Sequence, residues 1–459
     1  MRDDLAPPLR LSLQVFALFI AIYLFTWGGH YTSGDGSIKV AWAKDIIAGN
    51  WAQNGGDNQV HSKYGIGHSL LAAPSLAIAS LVQKTAGVRC EAALYTLMFV
   101  ANGAFFLGLV AFYLAHFYPA RSVWGTVLIA GLATTWWPYT KLDFSEPLVL
   151  TIAFLGFVLM RFKHPGLGML VAGFTLAIRA DSIAVVGLLA LWYLAVNPSI
   201  RGAVRIGLAL IPSIALTLFA NYIRYHSLLD HGYAGERFSN PLLVGLYGIL
   251  LSGGKSILLF SPPLLLGVLG WKRFANRPEI APDARLFLGI FVAQVLIYSK
   301  WWDWSSDDAW GVRFLIPGVM VMCIPMVTML HRRVILVPLV VLGFCVQLPA
   351  VTVGGLDYLI LLRSHQFERQ ALFVGGPDRI DFEDIRFNPS YSQIAGNWIL
   401  LRHLLGIPPS PGDPQDAARL GTRLYDALPP QAWASAAHWD FIWNLRRSAR
   451  PAADPQPAR

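Results

Sequence analysis

Charged residues are scarce in this chain. Only 14% of its 459 residues are Asp, Glu, Lys or Arg, whereas 55% are hydrophobic, and the mean hydropathy is +0.49. An ordinary soluble domain carries roughly 25% charged and about 45–50% apolar residues. The composition therefore excludes a typical soluble protein and indicates a chain that crosses a membrane several times.

Cysteine is also scarce, and the familiar catalytic signatures are missing. The three cysteines are odd in number, and Cys323 and Cys345 lie in apolar runs, so no disulfide framework is indicated. The sequence contains no HExxH, GxSxG, Walker A or GxGxxG motif, which argues against a metalloprotease, a serine hydrolase and a nucleotide-driven enzyme. The histidines are scattered without zinc-ligand spacing, and no internal repeat is visible.

Long apolar runs, in contrast, are abundant. A helix needs about 20 mostly apolar residues to cross a bilayer, and we predict about eleven such spans. The first is expected to be retained, because two aspartates precede it and no small-residue cleavage site follows. The shorter apolar stretch 68–82 is interpreted as a helix in the outer interface. The predicted spans are residues 10–28, 92–114, 122–138, 147–161, 166–178, 182–196, 206–222, 256–270, 284–299, 313–329 and 334–350.

The net charge of +9 does not point to nucleic acid, because the basic residues cluster in short connections between apolar runs. With a cytoplasmic N-terminus all of these clusters lie inside, as the positive-inside rule requires. Most acidic residues then lie in outer connections, so any chemistry faces outward. We expect a transmembrane module at 1–350, with a first outer loop at 29–91, and a small, polar extracytoplasmic C-terminal region at 351–459.

Three acids in the outer loops are candidates for chemistry. Asp35 lies between two glycines just after the first span, and an acid there is costly unless it is hydrated, paired or used. It is equally well explained as the N-cap of a following interfacial helix, whose Ile38, Trp42 and Ile46 would rest on lipid. Asp143 and Glu146 lie at the start of a span, where the helix dipole also favours acids. The two loops together predict one shared site.

Cations and aromatic residues also accumulate at the outer ends of spans. Each cation is explained either as snorkelling to lipid headgroups or as part of a clamp for a lipid-borne phosphate. The tryptophans around Asp303 form either an interfacial belt or a surface for a sugar ring. The cations are Lys63, Arg179, Lys255, Lys300 and Arg313, and the aromatic segment is KWWDWSSDDAWGVRF.

The order of these segments resembles a known family. It is similar to the GT-C glycosyltransferases that use polyprenyl-phosphate sugars, which include protein mannosyltransferases and the aminoarabinose transferase of lipid A. The resemblance extends over about residues 10–400. It is carried by SGDGSIKVAWAKDIIAGNW, HSKYGIGHSLLAAP, NYIRYHSLLDHGYA, GILLSGGKSILLFSPPLLL and WWDWSSDDAWGVRFLIP.

The resemblance implies an all-α GT-C bundle of about eleven transmembrane helices, with interfacial helices in the first outer loop. It implies that Asp35 is the essential first-loop acid, acting as general base, and that Asp143 or Glu146 is the second-loop acid. Lys63, Arg313, Lys255 and Arg179 would bind the lipid phosphate. The residues expected to contact the sugar or the acceptor are Trp302, Asp303, Trp310, His61 and Tyr64.

The implied reaction transfers a sugar from a polyprenyl-phosphate donor to an acceptor hydroxyl on a glycan, lipid or protein, with inversion at the anomeric carbon. It takes place on the outer face of the cytoplasmic membrane and needs no cofactor, although Mg²⁺ or Mn²⁺ held by the acids stays open. The chain departs from the family where Gly36 replaces a second acid and Tyr64-Gly65 replaces a double proline.

Two other functions remain open. A transporter or flippase of lipid-linked sugars would use the outer cations as headgroup guides, but transporters usually carry repeats and polar residues near the membrane midplane. An O-antigen ligase or polymerase would need a large basic outer loop late in the chain, and none precedes the C-terminal region.

Overall fold

The computed structural model describes residues 6–52, 63–230, 232–233, 236–306, 309–368, 382–407 and 430–443. Within them all regular secondary structure is helical, which confirms the predicted all-α class. The helices are α1 Ala6–Phe25, α2 Gly34–Ile47, α3 Ile66–Ala86, α4 Glu91–Ala115, α5 Ala120–Leu132, α6 Glu146–Arg161, α7 Pro165–Ile178, α8 Ile183–Val196, α9 Ile200–Tyr225, α10 Leu242–Leu251, α11 Ile257–Phe260, α12 Leu264–Ala275, α13 Ala281–Lys300, α14 Ile316–Cys323, α15 Arg333–Thr352, α16 Asp357–Glu368, α17 Phe382–Phe387, α18 Gln393–Leu404 and α19 Pro430–Ala436.

Helix length divides the predicted spans into two groups. Five of them, α1, α4, α9, α13 and α15, are long and apolar enough to cross a membrane, and α3 also meets that criterion. The remaining spans form shorter helices. Helix α6 has 16 residues and α7 has 14, so they are about 24 and 21 Å long, less than the roughly 30 Å of a hydrocarbon core.

Helices α1 and α4 pack side by side in opposite directions. Ser12, near the start of α1, donates a hydrogen bond to the carbonyl oxygen of Gly108, near the end of α4, at 2.8 Å. Just beyond the end of α1, Trp27 Nε1 donates to Thr96 Oγ1, in the first turns of α4, at 3.0 Å. The chain between the two helices therefore begins and ends on the same side of the bundle.

Helix α3 lies within that connection. Its first turn contacts the start of α4, because His68 Nε2 is 3.0 Å from the hydroxyl of Tyr95. Its last turn is joined to α4 by only four residues, 87–90, which reach at most about 18 Å, whereas α3 itself is about 30 Å long. Both ends of α3 thus lie near the start of α4. This supports an interfacial helix, longer than the predicted stretch 68–82, rather than a crossing one.

An ion cluster closes the opposite end of the bundle. Arg161 Nε, at the end of α6, lies 3.0 Å from Asp283 Oδ2, near the start of α13. The hydroxyl of Tyr113 donates to the same oxygen at 2.9 Å, and Trp192 Nε1 donates to Oδ1 at 3.1 Å. Four helices are tied at this end, which is the predicted cytoplasmic side. We refer to these four side chains as the inner cluster.

The described part of the C-terminal region packs onto the outer end of the bundle. Tyr358, Leu400 and Trp433 are buried and belong to the same hydrophobic core as the transmembrane helices. The indole of the buried Trp310 donates to Gln347 of α15 at 3.0 Å, and Gln393 of α18 accepts from the amide of Gly311 at 3.1 Å. The C-terminal helices therefore help to hold the loops that surround the candidate site.

Candidate active site

Helix α2 brings Asp35 into a charged cluster. Ser33 is the N-cap, with its side chain accepting from the amide of Gly36 at 3.0 Å. Asp35 therefore is not the cap, and the capping interpretation is wrong. Instead its Oδ2 lies 3.0 Å from Arg313 Nη1, and its Oδ1 accepts from the hydroxyl of Tyr64 at 2.5 Å.

The electrostatic environment keeps Asp35 ionised. Burial alone would raise the pKa of its carboxyl. The charges of Arg313 and Lys39 and the hydrogen bond from Tyr64 outweigh burial and hold this pKa well below its ordinary value. The side chain of Asp35 is still 25% exposed, against 3% for Glu146. Of these two carboxylates, Asp35 is the one that solvent or a substrate can reach.

The second loop delivers Glu146 to the same place. Glu146 is the first residue of α6, and its Oε1 accepts from Arg179 Nη1 at 2.8 Å and lies 3.5 Å from Arg313 Nε. Glu146 Oε2 and Arg313 Nε are buried without a hydrogen-bond partner in the described residues. Arg313 thus stands between Asp35 and Glu146, and two predicted acids and two predicted cations converge.

The chain of contacts continues to α13. Arg179 Nε and Nη2 lie 2.9 and 3.3 Å from the two oxygens of Asp181, and Tyr298 donates to the same carboxylate. The ring of Tyr298 stacks on Phe314 at 4.7 Å between centroids. The guanidinium of Arg313 lies 4.3 Å from the ring centre of Phe144. Aromatic rings therefore pack against the guanidinium groups of Arg313 and Arg179, in addition to their carboxylate partners.

Asp143 lies outside α6, because that helix begins at Glu146, so the two acids do not share a helix face. Asp143 Oδ1 accepts from the hydroxyl of Thr32 at 2.6 Å. A Cβ on Gly36 would be 1.9 Å from Asp143 Oδ2. Burial raises the pKa of Asp143. The glycine after Asp35 is thus explained by the close approach of the second loop to the first.

Lys39 is the functional candidate that sequence reasoning misses. It follows Asp35 by four residues on α2, is 1% exposed, and its ammonium lies 4.6 Å from the ring centre of Tyr64. Burial lowers its pKa. Among the described residues no carboxylate oxygen lies within 4.0 Å of its Nζ. The i, i+4 spacing of Asp35 and Lys39 is the signal that could have found it.

The apolar side of α2 is not laid on lipid as predicted. Trp42 and Ile46 are buried, with only Ile38 exposed. They pack with residues of α3, α7 and α9, and the guanidinium of Arg224 lies 4.4 Å from the ring of Trp42. This packing anchors α2 to the protein and therefore holds the charged residues Asp35 and Lys39 of the same helix in place.

No protein-family model and no curated protein sequence matches this chain. Two solved structures are similar to it: ArnT from Cupriavidus metallidurans bound to undecaprenyl phosphate, with a TM-score of 0.47, and ArnT in the apo state, with a TM-score of 0.46. Each is 14% identical to this chain, and each comparison covers 93% of this chain and 74% of that chain. The aminoarabinose transferase is also among the proteins that the sequence motifs resemble.

Lys63 borders the cluster but has a different partner. Its ammonium pairs with Glu236, in the connection between α9 and α10, and lies 5.4 and 5.9 Å from the ring centres of Tyr233 and Tyr64. Its side chain is 37% exposed. An anion entering beside Tyr64 would therefore compete with Glu236 for this lysine.

Other predicted residues lie away from the cluster. Lys255 is fully buried and donates to the carbonyl oxygens of Ala309 and Gly311 at 2.8 and 3.3 Å. Trp310 is also fully buried. Lys255 binds carbonyl oxygens of the loop that precedes Arg313, and Trp310 anchors that loop to Gln347 of α15. They offer no surface to a phosphate or a sugar in this arrangement.

Trp302 and Asp303 occupy a neighbouring surface. Trp302 is 48% exposed, and its indole nitrogen is 3.3 Å from Glu236 Oε2. Asp303 Oδ1 lies 4.0 Å from Arg386 Nη2. Trp302 therefore lies beside the Lys63–Glu236 pair, and Asp303 faces Arg386. His61 lies outside the described residues.

The acids of the cluster do not fit a divalent metal ion as arranged. The described residues contain no group of three or more His, Cys, Asp or Glu that would hold a metal. The accessible oxygens of Asp35 and the Oε1 of Glu146 already face arginine or tyrosine donors.

Proposed function

We propose that the protein is a membrane glycosyltransferase that moves a sugar from a polyprenyl-phosphate donor to an acceptor hydroxyl at the outer face of the cytoplasmic membrane. The observation that carries the proposal is the contact of Asp35 with Arg313 and Tyr64 at one end of an apolar helix bundle. A reachable carboxylate beside fixed guanidinium groups suits a reaction that takes up a proton and releases a phosphate.

In this proposal Asp35 is the general base. The acceptor oxygen attacks the anomeric carbon, the bond from that carbon to the phosphate oxygen breaks, and its electron pair leaves with the polyprenyl phosphate. The hydroxyl proton passes to Asp35. Attack from the side opposite the phosphate inverts the anomeric carbon. No nucleotide is needed, because the phosphate ester is already an activated leaving group.

Arg313 links the two halves of the reaction. With Arg313 at 3.0 Å, Asp35 is a weak base because its pKa is held low. If Arg313 turns toward the phosphate of a bound donor, the pKa of Asp35 rises toward the range in which a carboxylate accepts a proton efficiently. Binding of the donor phosphate would thereby activate the base.

The negative charge of the departing phosphate calls for several cations. Arg179 is already held by Glu146, Asp181 and the ring of Phe314, so it needs little reorganisation when charge develops. Lys63 would join Arg313 and Arg179 by exchanging Glu236 for the phosphate. Lys39, whose ammonium packs against the ring of Tyr64, would be the fourth cation.

The experiment compares Asp35→Asn with Asp45→Asn. Both acids lie on α2, but Asp45 is outside the cluster, which makes it a matched control. The purified proteins receive undecaprenyl-phosphate sugars extracted from bacterial membranes together with an envelope glycan and lipid extract, and free undecaprenyl phosphate is measured. We expect Asp35→Asn to lower its release by about 10²–10⁴-fold and Asp45→Asn to leave it within about twofold of the unsubstituted protein.

Equal release by both variants would remove Asp35 as the base. If the unsubstituted protein releases no undecaprenyl phosphate but moves lipid-linked sugars across vesicle membranes, the flippase alternative replaces the transferase. In a parallel reaction with undecaprenyl-diphosphate-linked glycans as donors, release of undecaprenyl diphosphate would point to the ligase or polymerase alternative.

A further inference from the structure

One acidic residue of the C-terminal region reaches both loops of the site. Asp440 Oδ1 lies 2.6 Å from His30 Nε2, and Asp440 Oδ2 lies 2.7 Å from Lys141 Nζ. The Asp440 and Lys141 side chains are 6% and 4% exposed. Lys141 also donates to the carbonyl oxygens of Asp440 and Val351 at 2.6 and 2.8 Å, so all three of its N–H groups are used.

His30 is a cation in this arrangement. Its Nδ1 lies 2.9 Å from the carbonyl oxygen of Tyr31, and its Nε2 faces the Asp440 carboxylate. Both partners can only accept a hydrogen bond, so both ring nitrogens must carry a proton. The bond to Asp440 raises the pKa of His30 to about 9, against the opposing effects of burial and of Lys141. Asp440 is therefore shared by two positive charges.

The segment that carries Asp440 is docked independently of these charges. The amides of Asp440 and Ile442 donate to the carbonyl oxygens of Thr352 and Trp27 at 2.9 and 2.6 Å. Trp443 stacks on Phe25 at 5.6 Å between ring centroids. Backbone bonds and aromatic packing already hold the segment in place, so docking alone does not account for a buried carboxylate with two cations.

The contacts form a closed ring that includes the candidate site. His30 is two residues before Thr32, and Lys141 is two residues before Asp143, while Thr32 donates to Asp143 at 2.6 Å. Asp440 clamps the outer side of the same junction. A Cβ on Gly28 would come within 2.5 Å of Asp440 Oδ1. The absence of a side chain at Gly28 therefore leaves room for the carboxylate of Asp440.

We propose that Asp440 is a positioning residue that fixes the first and second outer loops against each other through His30 and Lys141. The two loops carry Asp35 and Asp143, and their register decides whether the acids of the site converge. A buried ion pair adds little net stability over apolar packing but defines one geometry, which is the use that fits this position. The activity arm of the test rests on the proposed function, whereas the exchange arm does not.

The test uses Asp440→Asn, which keeps the side-chain size, and Asp357→Asn as the matched control. Asp357 also lies in the C-terminal region and pairs with a histidine, His438, at 3.4 Å, so its substitution removes a charge from that region while leaving the Asp440 contacts with His30 and Lys141. In the exchange arm, hydrogen exchange of residues 30–36 and 141–145 is followed in full-length protein. We expect Asp440→Asn to speed exchange there at least tenfold and Asp357→Asn to change it less than twofold.

In the activity arm, undecaprenyl phosphate release is measured with undecaprenyl-phosphate sugars. Asp440→Asn should lower kcat at least tenfold with KM within about twofold, because the acids are displaced while the lipid site is left. Lys141→Met should cause a similar loss, and the double variant should lose no more than either alone, since each breaks the same tie. Additive losses, or an unchanged kcat, would overturn the proposal.

If Asp440→Asn does not fold, the unsubstituted protein still provides a test. Among the described residues, His30 faces Asp440, Lys141 and the carbonyl of Tyr31. Its raised pKa means that the tie is fully charged below about 6.5 and is lost as pH rises through about 9. Exchange of residues 30–36 should therefore accelerate near pH 9 beyond its intrinsic increase, and His30→Gln should remove that step.

A step that persists in His30→Gln overturns the proposal. If no variant and no unsubstituted protein shows turnover, but hydrogen exchange changes as expected, only the proposed function is discredited.

Discussion

The two ends of the bundle carry ion clusters of opposite character. In the inner cluster, Asp283 faces one arginine, and both of its oxygens accept hydrogen bonds. In the outer one, Arg313 is shared by two carboxylates, while Glu146 Oε2 and Arg313 Nε have no hydrogen-bond partner among the described side chains. A satisfied cluster stabilises a fold, whereas unsatisfied buried donors and acceptors leave room for a ligand.

Arginine removal is the strongest way to test that contrast. Arg313→Met should lower undecaprenyl phosphate release by at least about 10³-fold, equivalent to about 4 kcal/mol of transition-state stabilisation. Two carboxylates would lose their common partner. The matched substitution at the inner end, Arg161→Met, should cost about 3 kcal/mol of unfolding free energy because Asp283 loses its counter-ion.

The two variants are compared by turnover per folded molecule and by the midpoint of thermal unfolding in detergent. Arg161→Met should keep turnover of the folded fraction within about twofold. Should Arg161→Met reduce turnover as strongly as Arg313→Met at equal folded protein, the division between a structural and a functional end would be wrong.

The glycines that flank Asp35 offer a finer comparison. Ala is a better helix former than Gly by about 1 kcal/mol, and no atom lies within 4 Å of the position that a methyl group on Gly34 would occupy, so Gly34→Ala should stabilise slightly. Gly36→Ala places its methyl against Asp143 and should cost about 2 kcal/mol net, together with most of the turnover. Thermal unfolding and undecaprenyl phosphate release measure both effects. Equal unfolding midpoints and equal release in the two variants would show that the second loop does not pack closely against Gly36.

Lys39 gives the smallest effect on stability and the sharpest test of the outer end. Lys39→Met should change the unfolding free energy by less than about 1 kcal/mol, since burying an ammonium without a close carboxylate gains little. Release should fall at least about tenfold if its charge assists the departing phosphate. Lys44→Met on the same helix removes an exposed ion pair with Glu91 at 2.7 Å, and both quantities should hardly change. A turnover loss equal in both variants would assign Lys39 a purely general role in surface charge.

Much of the architecture follows from the sequence because hydropathy and basic residues act locally. The apolar runs predict the positions of the spans, and the outward acids predict that Asp35 and Glu146 meet. The predicted stretch 68–82 is too short for α3, because the ends of that helix are less apolar than its middle. The short helix α10 is not predicted at all, since its ten residues are too few for a span.

The pairing within the site is beyond such reasoning because it depends on contacts far apart in sequence. Lys63 pairs with a residue 173 positions away, and Lys255 binds carbonyl oxygens 54 and 56 positions away. Nothing local distinguishes these two lysines, yet one is partly exposed and the other is fully buried. The burial of Lys39 escapes prediction for a similar reason, since an i, i+4 charge pair usually marks a solvated helix face.

The short helices α6 and α7 have their outer ends at Glu146 and just before Arg179. Each is several ångströms shorter than the hydrocarbon core, so these two helices leave part of the core thickness uncovered at one of their ends, and their outer ends carry charges of the candidate site. If that shortfall lies at the outer ends, a donor of the proposed reaction reaches these charges with its tail still in the membrane. It is spared the roughly 0.8 kcal/mol for every methylene that would otherwise be drawn into water.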